Sequence, residues 1–189
     1  MKTYSFDAVV IGSGAAGFAT ACNIAKIGKK SVCIVTEGIN SGTSRNTGSD
    51  KQTYYKLSLS GGEGDSVREM ADTLYSGGGV MGEHALCEAA YSTRCFMRLV
   101  ELGVPFPANE YGEYAGYKTD HDPRTRATSC GPLTSKYMTE ALEREAMRRG
   151  IEMLDGWLAI KILTEDGTVN GVAAVSTESG EIGIFSCEN

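Results

Sequence analysis

Residues 7–17 read Asp-Ala-Val-Val-Ile-Gly-Ser-Gly-Ala-Ala-Gly, and this stretch decides the fold. The apolar run at residues 6–11 is bounded by glycine, which predicts a buried parallel strand. Residues 15–27 then repeat small and apolar side chains at helical spacing, and Gly28 stands where that helix would end. A second apolar run follows at residues 31–35. Strand, helix and strand in this order predict a right-handed βαβ unit.

The glycines of this stretch have the spacing of a dinucleotide-binding turn, Gly-x-Gly-x-x-Gly. Gly12 permits the tight turn, Gly14 removes a Cβ where a pyrophosphate would approach, and Gly17 lets helix and strand pack closely. Free N–H groups and the dipole at the start of the helix would hold the anion. An acidic residue that binds ribose hydroxyls is expected about twenty positions further on. Glu37 lies there, with Thr36 beside it.

The rest of the chain does not simply repeat βα units. Residues 38–64 are polar, glycine-rich and without a clear period, which predicts a long functional loop, and residues 109–132 are again irregular. The strands near the end are separated by Glu-Asp-Gly and Glu-Ser-Gly turns. The further predicted elements are helices at 66–77 (opened by a Ser-x-x-Glu capping box), 84–102 and 134–149, a third parallel strand at 151–154, and an antiparallel meander at 158–163, 169–176 and 182–187.

Several motifs, in their order and spacing, resemble those of one known family. They are residues 7–17, Val35-Thr36-Glu37, Ser44-Arg45-Asn46-Thr47, Leu102-Gly103-Val104-Pro105-Phe106, Ala159, and Glu-Asp-Gly-Thr-Val-Asn-Gly-Val at 165–172. This layout resembles the glutathione-reductase-like FAD fold, and more narrowly the flavoprotein family of fumarate reductase and succinate dehydrogenase. The resemblance implies an α/β, Rossmann-like FAD-binding domain over residues 1–189, with a parallel sheet, helices and an antiparallel β-meander. It also implies that these residues are an incomplete N-terminal portion of a longer flavoprotein.

Carried over residue by residue, the resemblance implies where FAD would bind. The implied site residues are Gly12, Gly14, Ala15, Ala16 and Gly17 at the pyrophosphate, Thr36 or Glu37 at the adenosine ribose, Ser44, Asn46, Thr47 and Gly48 beneath the flavin, and the backbone of Ala159 at the adenine. Two alternatives stay open at this point. Residues 44–48 could form a plain loop, and Ala159 could be a core residue.

Two positions depart from the family. Asn46 stands where the respiratory members carry the histidine that bonds covalently to the flavin, so the FAD is expected to be non-covalent. Residues 49–53 replace small residues and a Gly-Gly pair near the reactive edge of the flavin, which leaves fumarate or succinate in doubt as the substrate. Lys51, in this segment, could stabilise negative charge on a reduced flavin or be a solvated lysine.

The resemblance implies hydride transfer between flavin N5 and an organic substrate, for which the protein supplies position and electrostatics. The substrate would be a small organic acid or another reducible molecule. In the family, the substrate-binding histidine and arginines, and an Ala-Thr-Gly-Gly segment, lie beyond the position that matches Asn189. No catalytic residue is therefore assigned. His121, between two aspartates, could act as an acid or be simply solvated.

Composition argues against several other classes of protein. The net charge of −6 and the absence of a basic stripe argue against nucleic-acid binding. No apolar run approaches the ~20 residues of a membrane span, and the start does not resemble a signal peptide. The six cysteines form no Cys-x-x-Cys pair and there are two histidines, which predicts a cytoplasmic protein with reduced thiols and no metal site.

Alternatives to the enzyme interpretation remain. The chain could be a non-catalytic flavin- or NAD-binding module that acts as one chain of a split protein. The expected order of the parallel sheet is third, second, first and fourth strand, and the fourth strand ends in the family's Ala-Thr-Gly-Gly segment. Without that neighbour the strand at residues 6–11 would be an exposed edge, which invites self-association.

Overall fold

A computed structural model describes the chain in four stretches, residues 2–28, 31–62, 64–120 and 122–188. It has two compact units, and the first combines Met1–Thr47 with Met138–Asn189, whereas the second is Gly48–Tyr137. The elements in chain order are β1 (Lys2–Ser5), β2 (Ala8–Ile11), α1 (Ala15–Gly28), β3 (Val32–Val35), α2 (Thr43–Asn46), β4 (Tyr54–Tyr55), α3 (Val67–Ser76), α4 (Gly82–Glu101), β5 (Ala127–Thr128), α5 (Thr134–Arg148), β6 (Glu152–Leu154), β7 (Trp157–Glu165), β8 (Thr168–Ser176) and β9 (Ile182–Ser186). The predicted α/β class is confirmed.

The first unit contains a parallel sheet with the strand order β2-β3-β6. β3 lies in its centre and is buried along its whole length, because it has a neighbour on each side. α1 contacts β2 and β3 and buries Phe18, Ala21 and Cys22. The predicted order of the third, second and first parallel strands is therefore confirmed. Among the described strands, β2 has one hydrogen-bonded neighbour.

The strand predicted at residues 6–11 is shorter than expected, because the chain changes sheets within it. β2 omits the first two of these residues, and the preceding β1, which was not predicted, pairs in parallel with β9 in the second sheet of this unit. The N–H of Phe6 still donates to Ser186 O (3.0 Å), whereas the N–H of Asp7 donates to Ser31 O (3.0 Å). The Asp7 carboxylate also accepts from the N–H of Ser31 at 2.6 Å, which fixes the crossing point.

The predicted antiparallel meander is confirmed as β7-β8-β9, with β1 added at its edge. Its hydrophobic core is shared with β3 and is formed by Cys33, Val35, Trp157, Val172, Ala174 and Phe185. Tyr4 of β1 stacks on Phe185 with ring centroids 4.7 Å apart. Burial raises the pKa of the Cys33 thiol to about 12, because a thiolate would lose its hydration there. Cys33 is therefore a protonated core residue, as predicted from the apolar run.

In the second unit, α3 and α4 pack against each other around small side chains. Their shared core is Met70, Ala71, Ala85 and Ala89. The predicted N-cap of α3 is confirmed, because Ser66 Oγ accepts from the N–H of Glu69 at 3.1 Å. The Glu69 carboxylate, however, binds the guanidinium of Arg124 at 2.8 Å. The capping box is thus formed on the serine side, while its glutamate pairs with a distant cation.

The two long predicted loops contain short elements that sequence periodicity did not reveal. Residues 38–64 include α2 and β4, and residues 109–132 include β5. β4 and β5 pair antiparallel, with Tyr54 opposite Thr128. The loop prediction is wrong at these elements: β4 and β5 pair with partners that are distant in sequence, and α2 is a single turn, too short to show a helical period.

A buried ionic network also holds the second unit together. Arg126 is fully buried and donates to both carboxylate oxygens of Asp65, at 2.7 and 2.9 Å. Its other terminal nitrogen donates to Asp122 Oδ1 (3.2 Å), Tyr55 Oη (3.1 Å) and Thr73 Oγ1 (3.0 Å). Burial alone would raise the pKa of Asp65, but hydrogen bonds from Arg126 and from two backbone N–H groups lower it to about 2. Asp65 is therefore ionised at neutral pH.

Candidate cofactor-binding site

The glycine turn joins β2 to α1 at the carboxyl edge of the parallel sheet. Gly12 has a φ of +96°, in the left-handed region that favours glycine. Its N–H donates to Val35 O at 2.8 Å, so the turn begins as a continuation of the sheet. α1 starts at Ala15, and its first N–H groups lack intrahelical acceptors, as at any helix start. The turn therefore presents backbone donors and the positive end of a helix dipole to one place.

The other two glycines of the turn differ in the space that is available for a side chain. A Cβ at Gly17 would collide with the carbonyl oxygen of Gly12, so only glycine allows the helix to approach the turn this closely. A Cβ at Gly14 would lie 3.4 Å from Ser44 Oγ, which is ordinary contact within the protein. The structure therefore requires glycine at position 17 for its own packing, whereas Gly14 leaves open a space that a ligand could fill.

A cavity of about 310 Å³ lies beside this turn, within the first unit. Its described lining is Ile11, Gly12, Ser13, Gly14, Val35, Thr36, Glu37, Ser41, Gly42, Trp157, Leu158 and Ala159. Five of the predicted site residues are in this set, namely Gly12, Gly14, Thr36, Glu37 and Ala159. Ala15, Ala16 and Gly17 follow in the first turn of α1, outside the described lining.

The two candidates for the ribose contact differ in their surroundings. Thr36 is buried, and its hydroxyl lies 3.0 Å from the hydroxyl of Ser13, which is also buried. Ser13 Oγ further donates to Gly38 O at 3.3 Å. These hydroxyls therefore connect the glycine turn to the end of β3. Glu37 is exposed on the cavity wall, so the geometry favours Glu37 over Thr36 for a ribose hydroxyl.

The segment predicted to run beneath the flavin forms α2, which a buried ion pair attaches to α5. Arg45 donates to Glu143 at 2.7 Å, and both side chains are largely buried. Asn46 Nδ2 donates to Asn40 O (2.8 Å) and Gly42 O (3.0 Å), so its amide helps to shape the loop. Ser44 is the member of this segment that lies against Gly14.

Thr47 and Gly48 fall at the boundary of the two units. Thr47 Oγ1 donates to Thr43 O at 2.7 Å within the first unit. Gly48 belongs to the second unit, where a Cβ would lie 3.1 Å from Pro132 O, so this position too is sterically restricted. Contact of Ser44, Asn46, Thr47 and Gly48 with the flavin stays a prediction.

The segment after Gly48 is anchored to the start of α5 within the second unit. The N–H of Ser49 donates to Pro132 O at 3.0 Å. The Gln52 amide makes two hydrogen bonds to Ser135, one to its hydroxyl at 2.7 Å and one from its N–H at 2.9 Å. Lys51 is exposed.

The sequence also raised the questions of an acidic histidine, a metal site and a membrane span. His121 lies outside the described residues. Within the described part of the chain, no three histidine, cysteine or acidic side chains are grouped so that they could hold a metal ion. All six cysteines are free thiols. No helix in the four described stretches is long and apolar enough to cross a membrane.

The fold and the glycine turn define a dinucleotide-binding α/β domain, and comparison with known proteins specifies the family. Residues 7–186 match the family described as "FAD binding domain", to which the chain therefore belongs. The resemblance to the fumarate reductase and succinate dehydrogenase flavoproteins is likewise confirmed, and FAD is the dinucleotide.

Three relatives illustrate the match. The chain is 25% identical over 204 aligned positions to the succinate dehydrogenase flavoprotein subunit of Rickettsia conorii, covering 98% of this chain and 32% of that protein. It is 30% identical over 185 positions to a fumarate reductase (CoM/CoB) polypeptide of Methanothermobacter marburgensis, covering 95% and 33%. The FrdA chain of Escherichia coli quinol fumarate reductase superposes with a TM-score of 0.85 at 16% identity, over 100% of this chain and 32% of that one. The chain spans about a third of the length of the curated relatives it matches.

The residues present fit FAD. The space that a Cβ at Gly14 would begin to fill lies over the start of α1, where a pyrophosphate would accept hydrogen bonds from backbone N–H groups. Glu37, on the cavity wall, could accept hydrogen bonds from ribose hydroxyls, and the exposed side chain of Leu158 and the adjacent Ala159 would offer an apolar surface to an adenine. Trp157, Leu158 and Ser41 were not predicted, since they contribute shape and carry no motif.

Proposed function

We propose that the chain is the FAD-binding part of a flavin-dependent oxidoreductase that resembles the fumarate reductase and succinate dehydrogenase flavoproteins. The observation that carries this proposal is the glycine turn beside a cavity that ends at an exposed acidic residue, Glu37. Bound FAD supplies hydride transfer through flavin N5. The residues of this chain bind and orient the cofactor: the turn and α1 hold its pyrophosphate, Glu37 its ribose, and Ala159 lies at its adenine.

The substrate we propose is a small organic acid or another reducible molecule, acted on by the whole protein. The relatives named above include polypeptides of a succinate dehydrogenase and of a fumarate reductase, which supports this class. The polar residues 49–53 depart from the family near the reactive edge of the flavin, so the proposal does not specify succinate or fumarate within this class. Because the chain spans about a third of its relatives, we expect no turnover from these 189 residues alone. Its six free thiols support a cytoplasmic location.

A titration followed by visible absorbance tests the proposal. Purified protein mixed with FAD should acquire perturbed flavin bands and retain one FAD per chain after gel filtration. If NAD stabilises the protein against heat and FAD does not, the chain is an NAD-binding module and our proposal is wrong. If FAD binds but the full-length protein reduces no acceptor dye, the chain is a non-catalytic flavin-binding module.

Replacing Glu37 with alanine should weaken FAD binding by about 1–3 kcal/mol, as expected for charged hydrogen bonds to ribose hydroxyls. The carboxylate is exposed on the cavity wall, so its removal should leave the fold intact. Isothermal titration with FAD and with riboflavin 5′-phosphate measures the effect, and only FAD carries the adenosine ribose. Equal weakening for both ligands would contradict the assignment of Glu37 to the ribose.

The FAD should be released intact by acid or heat, because Asn46 cannot form the covalent bond that a histidine makes at the matching position. The Asn46 amide nitrogen is moreover hydrogen-bonded to two loop carbonyls. Denatured, FAD-loaded protein run on a gel should show no flavin fluorescence in the polypeptide band, with all of it in the supernatant. A fluorescent polypeptide band would contradict the prediction.

We also propose that β2 offers a docking edge for a further strand, supplied by a second copy of the chain when no other strand is available. β2 has β3 on one side, and its last residue, Ile11, is 50% exposed. An apolar edge of unpaired N–H and C=O groups favours strand addition. Light scattering of the 189-residue chain should then report a dimer or larger species, and a strict monomer at high concentration would remove this part of the proposal.

A further inference from the structure

The turn that follows Glu37 forms part of the cavity wall, and a side chain from a distant part of the sequence holds it. Asp155 Oδ1 accepts a hydrogen bond from the N–H of Ile39 at 2.8 Å and another from the N–H of Gly156 at 3.0 Å. Ser41, later in the same turn, lines the cavity. Asp155 itself is exposed and lies outside the described lining. Its contact with the site is therefore indirect, through the backbone of the turn.

The position of Asp155 is itself fixed by backbone hydrogen bonds on both sides. The N–H of Thr36 donates to Leu154 O at 3.1 Å, and the N–H of Trp157 donates to Thr36 O at 2.8 Å. These bonds join the end of β3 to the β6–β7 connection, in which Asp155 lies. The carboxylate is thus a rigid anchor at the point where the chain leaves β3.

The turn has its own internal hydrogen bonds, so that it behaves as one body. Gly38 O accepts from the N–H of Ser41 at 3.0 Å and from Ser41 Oγ at 2.6 Å. Gly38 O also accepts from Ser13 Oγ at 3.3 Å, which ties the inner end of the turn to the glycine turn. Asp155 attaches the turn again at Ile39, one residue further along. Asn46 Nδ2 donates to Asn40 O of the same turn at 2.8 Å, so Asp155 is one of several attachments, and it is the one that holds the turn to the β6–β7 connection.

We propose that Asp155 is a positioning residue for FAD, which fixes the Glu37–Ser41 turn so that the Glu37 carboxylate is held toward the adenosine ribose. This inference rests on the proposed function of the cavity. Without the anchor, the turn would have to become ordered when FAD binds. The conformational entropy lost in that step would reduce the binding free energy. By thermodynamic reciprocity, bound FAD must in turn stabilise the anchored turn.

Three variants test this role by FAD titration and apo-protein thermal melting. Asp155→Ala should raise the Kd for FAD about tenfold with little change in the apo melting temperature. Asp155→Asn should bind within about twofold of wild type, because the amide oxygen can still accept from Ile39. Glu178→Ala is the matched control, since it removes an exposed carboxylate from the β8–β9 turn, outside the described cavity lining, and should leave the Kd unchanged.

Amide hydrogen exchange gives a second readout, which follows the Ile39 N–H itself. The Ile39 amide of the wild-type protein should exchange more slowly once FAD is bound, and faster in apo Asp155→Ala than in apo wild type. Any one of three results would overturn this inference while leaving the proposed function in place. They are wild-type FAD affinity in Asp155→Ala, an Asp155→Asn variant that binds as weakly as Asp155→Ala, and Ile39 exchange that does not change when FAD binds. A wild-type protein that bound no FAD would overturn the proposed function, and this inference with it.

Discussion

Replacing Gly14 with valine is expected to abolish FAD binding, raising the Kd at least about a hundredfold, while the apo-protein stays folded. The backbone at Gly14 is not in the left-handed region, and a Cβ there would make ordinary contact with Ser44 Oγ at 3.4 Å. The backbone of the protein at this position therefore accepts a Cβ. The valine branches would occupy the space over the start of α1, where the pyrophosphate must approach the backbone. FAD titration and the far-UV melting curve measure the two effects.

Two other glycine substitutions serve as comparisons for Gly14→Val. Gly79→Val is the control, because a Cβ there meets no described heavy atom within 4 Å and the backbone is not left-handed. It should leave both FAD affinity and stability near wild type. Gly17→Val should instead unfold the turn, since its Cβ would collide with the carbonyl oxygen of Gly12. Retention of wild-type FAD affinity in Gly14→Val would remove the pyrophosphate from this turn.

Replacing Arg126 with methionine is expected to lower the free energy of unfolding by about 3–5 kcal/mol, the range for breaking a buried ion pair on one side. The substitution keeps much of the side-chain volume but leaves Asp65 and Asp122 buried without their shared cation. Asp122 Oδ2 is already buried with no hydrogen-bond partner among the described residues, and the N–H of Arg124, an uncharged donor, would remain on Oδ1 at 3.1 Å. Urea denaturation at neutral pH measures the change.

The pH dependence of stability separates this network from simple packing. The folded pKa of Asp65 is depressed to about 2 from 3.8, so its contribution is complete above about pH 4 and is lost as the pH falls toward 2. That acid-side loss should be smaller in Arg126→Met. Arg68→Met is the control, because its pair with Asp72 is exposed to solvent and should contribute little to stability. Equal destabilisation by the two variants would show that the buried network adds nothing.

The parts of the fold that sequence could predict are those whose signals are local. The βαβ unit has two apolar runs and a glycine turn within one short stretch, and the meander has a turn motif between each pair of strands. The boundary within residues 6–11 could not be predicted, because Phe6 is assigned to a sheet by its hydrogen bond to Ser186. Nothing near Phe6 in the sequence carries that information.

The same distinction applies to the candidate site. Gly12, Gly14 and Glu37 could be placed from their spacing, and the structure brings them to one cavity. Asp155 could not, because its contact with the turn depends on a backbone N–H, which every residue but proline has. The Arg126 network was missed for a related reason: Asp65 lies far from Arg126 in the sequence, and an arginine in a polar stretch is typical of a surface residue.

The parallel pairing of β1 with β9 constrains the order in which the sheets of this unit can fold during synthesis. Lys2 lies opposite Gly183 and Ser5 opposite Ser186, so β1 is synthesised long before the strand with which it pairs. During synthesis the nascent chain can form the βαβ unit, but Tyr4 has no ring to stack upon until Phe185 emerges. Closing so large a loop is slow, because its entropy is lost before the contacts that compensate for it are made. Ribosome-bound intermediates should therefore leave β1 unpaired, and accessible to chaperones, until β9 has been synthesised.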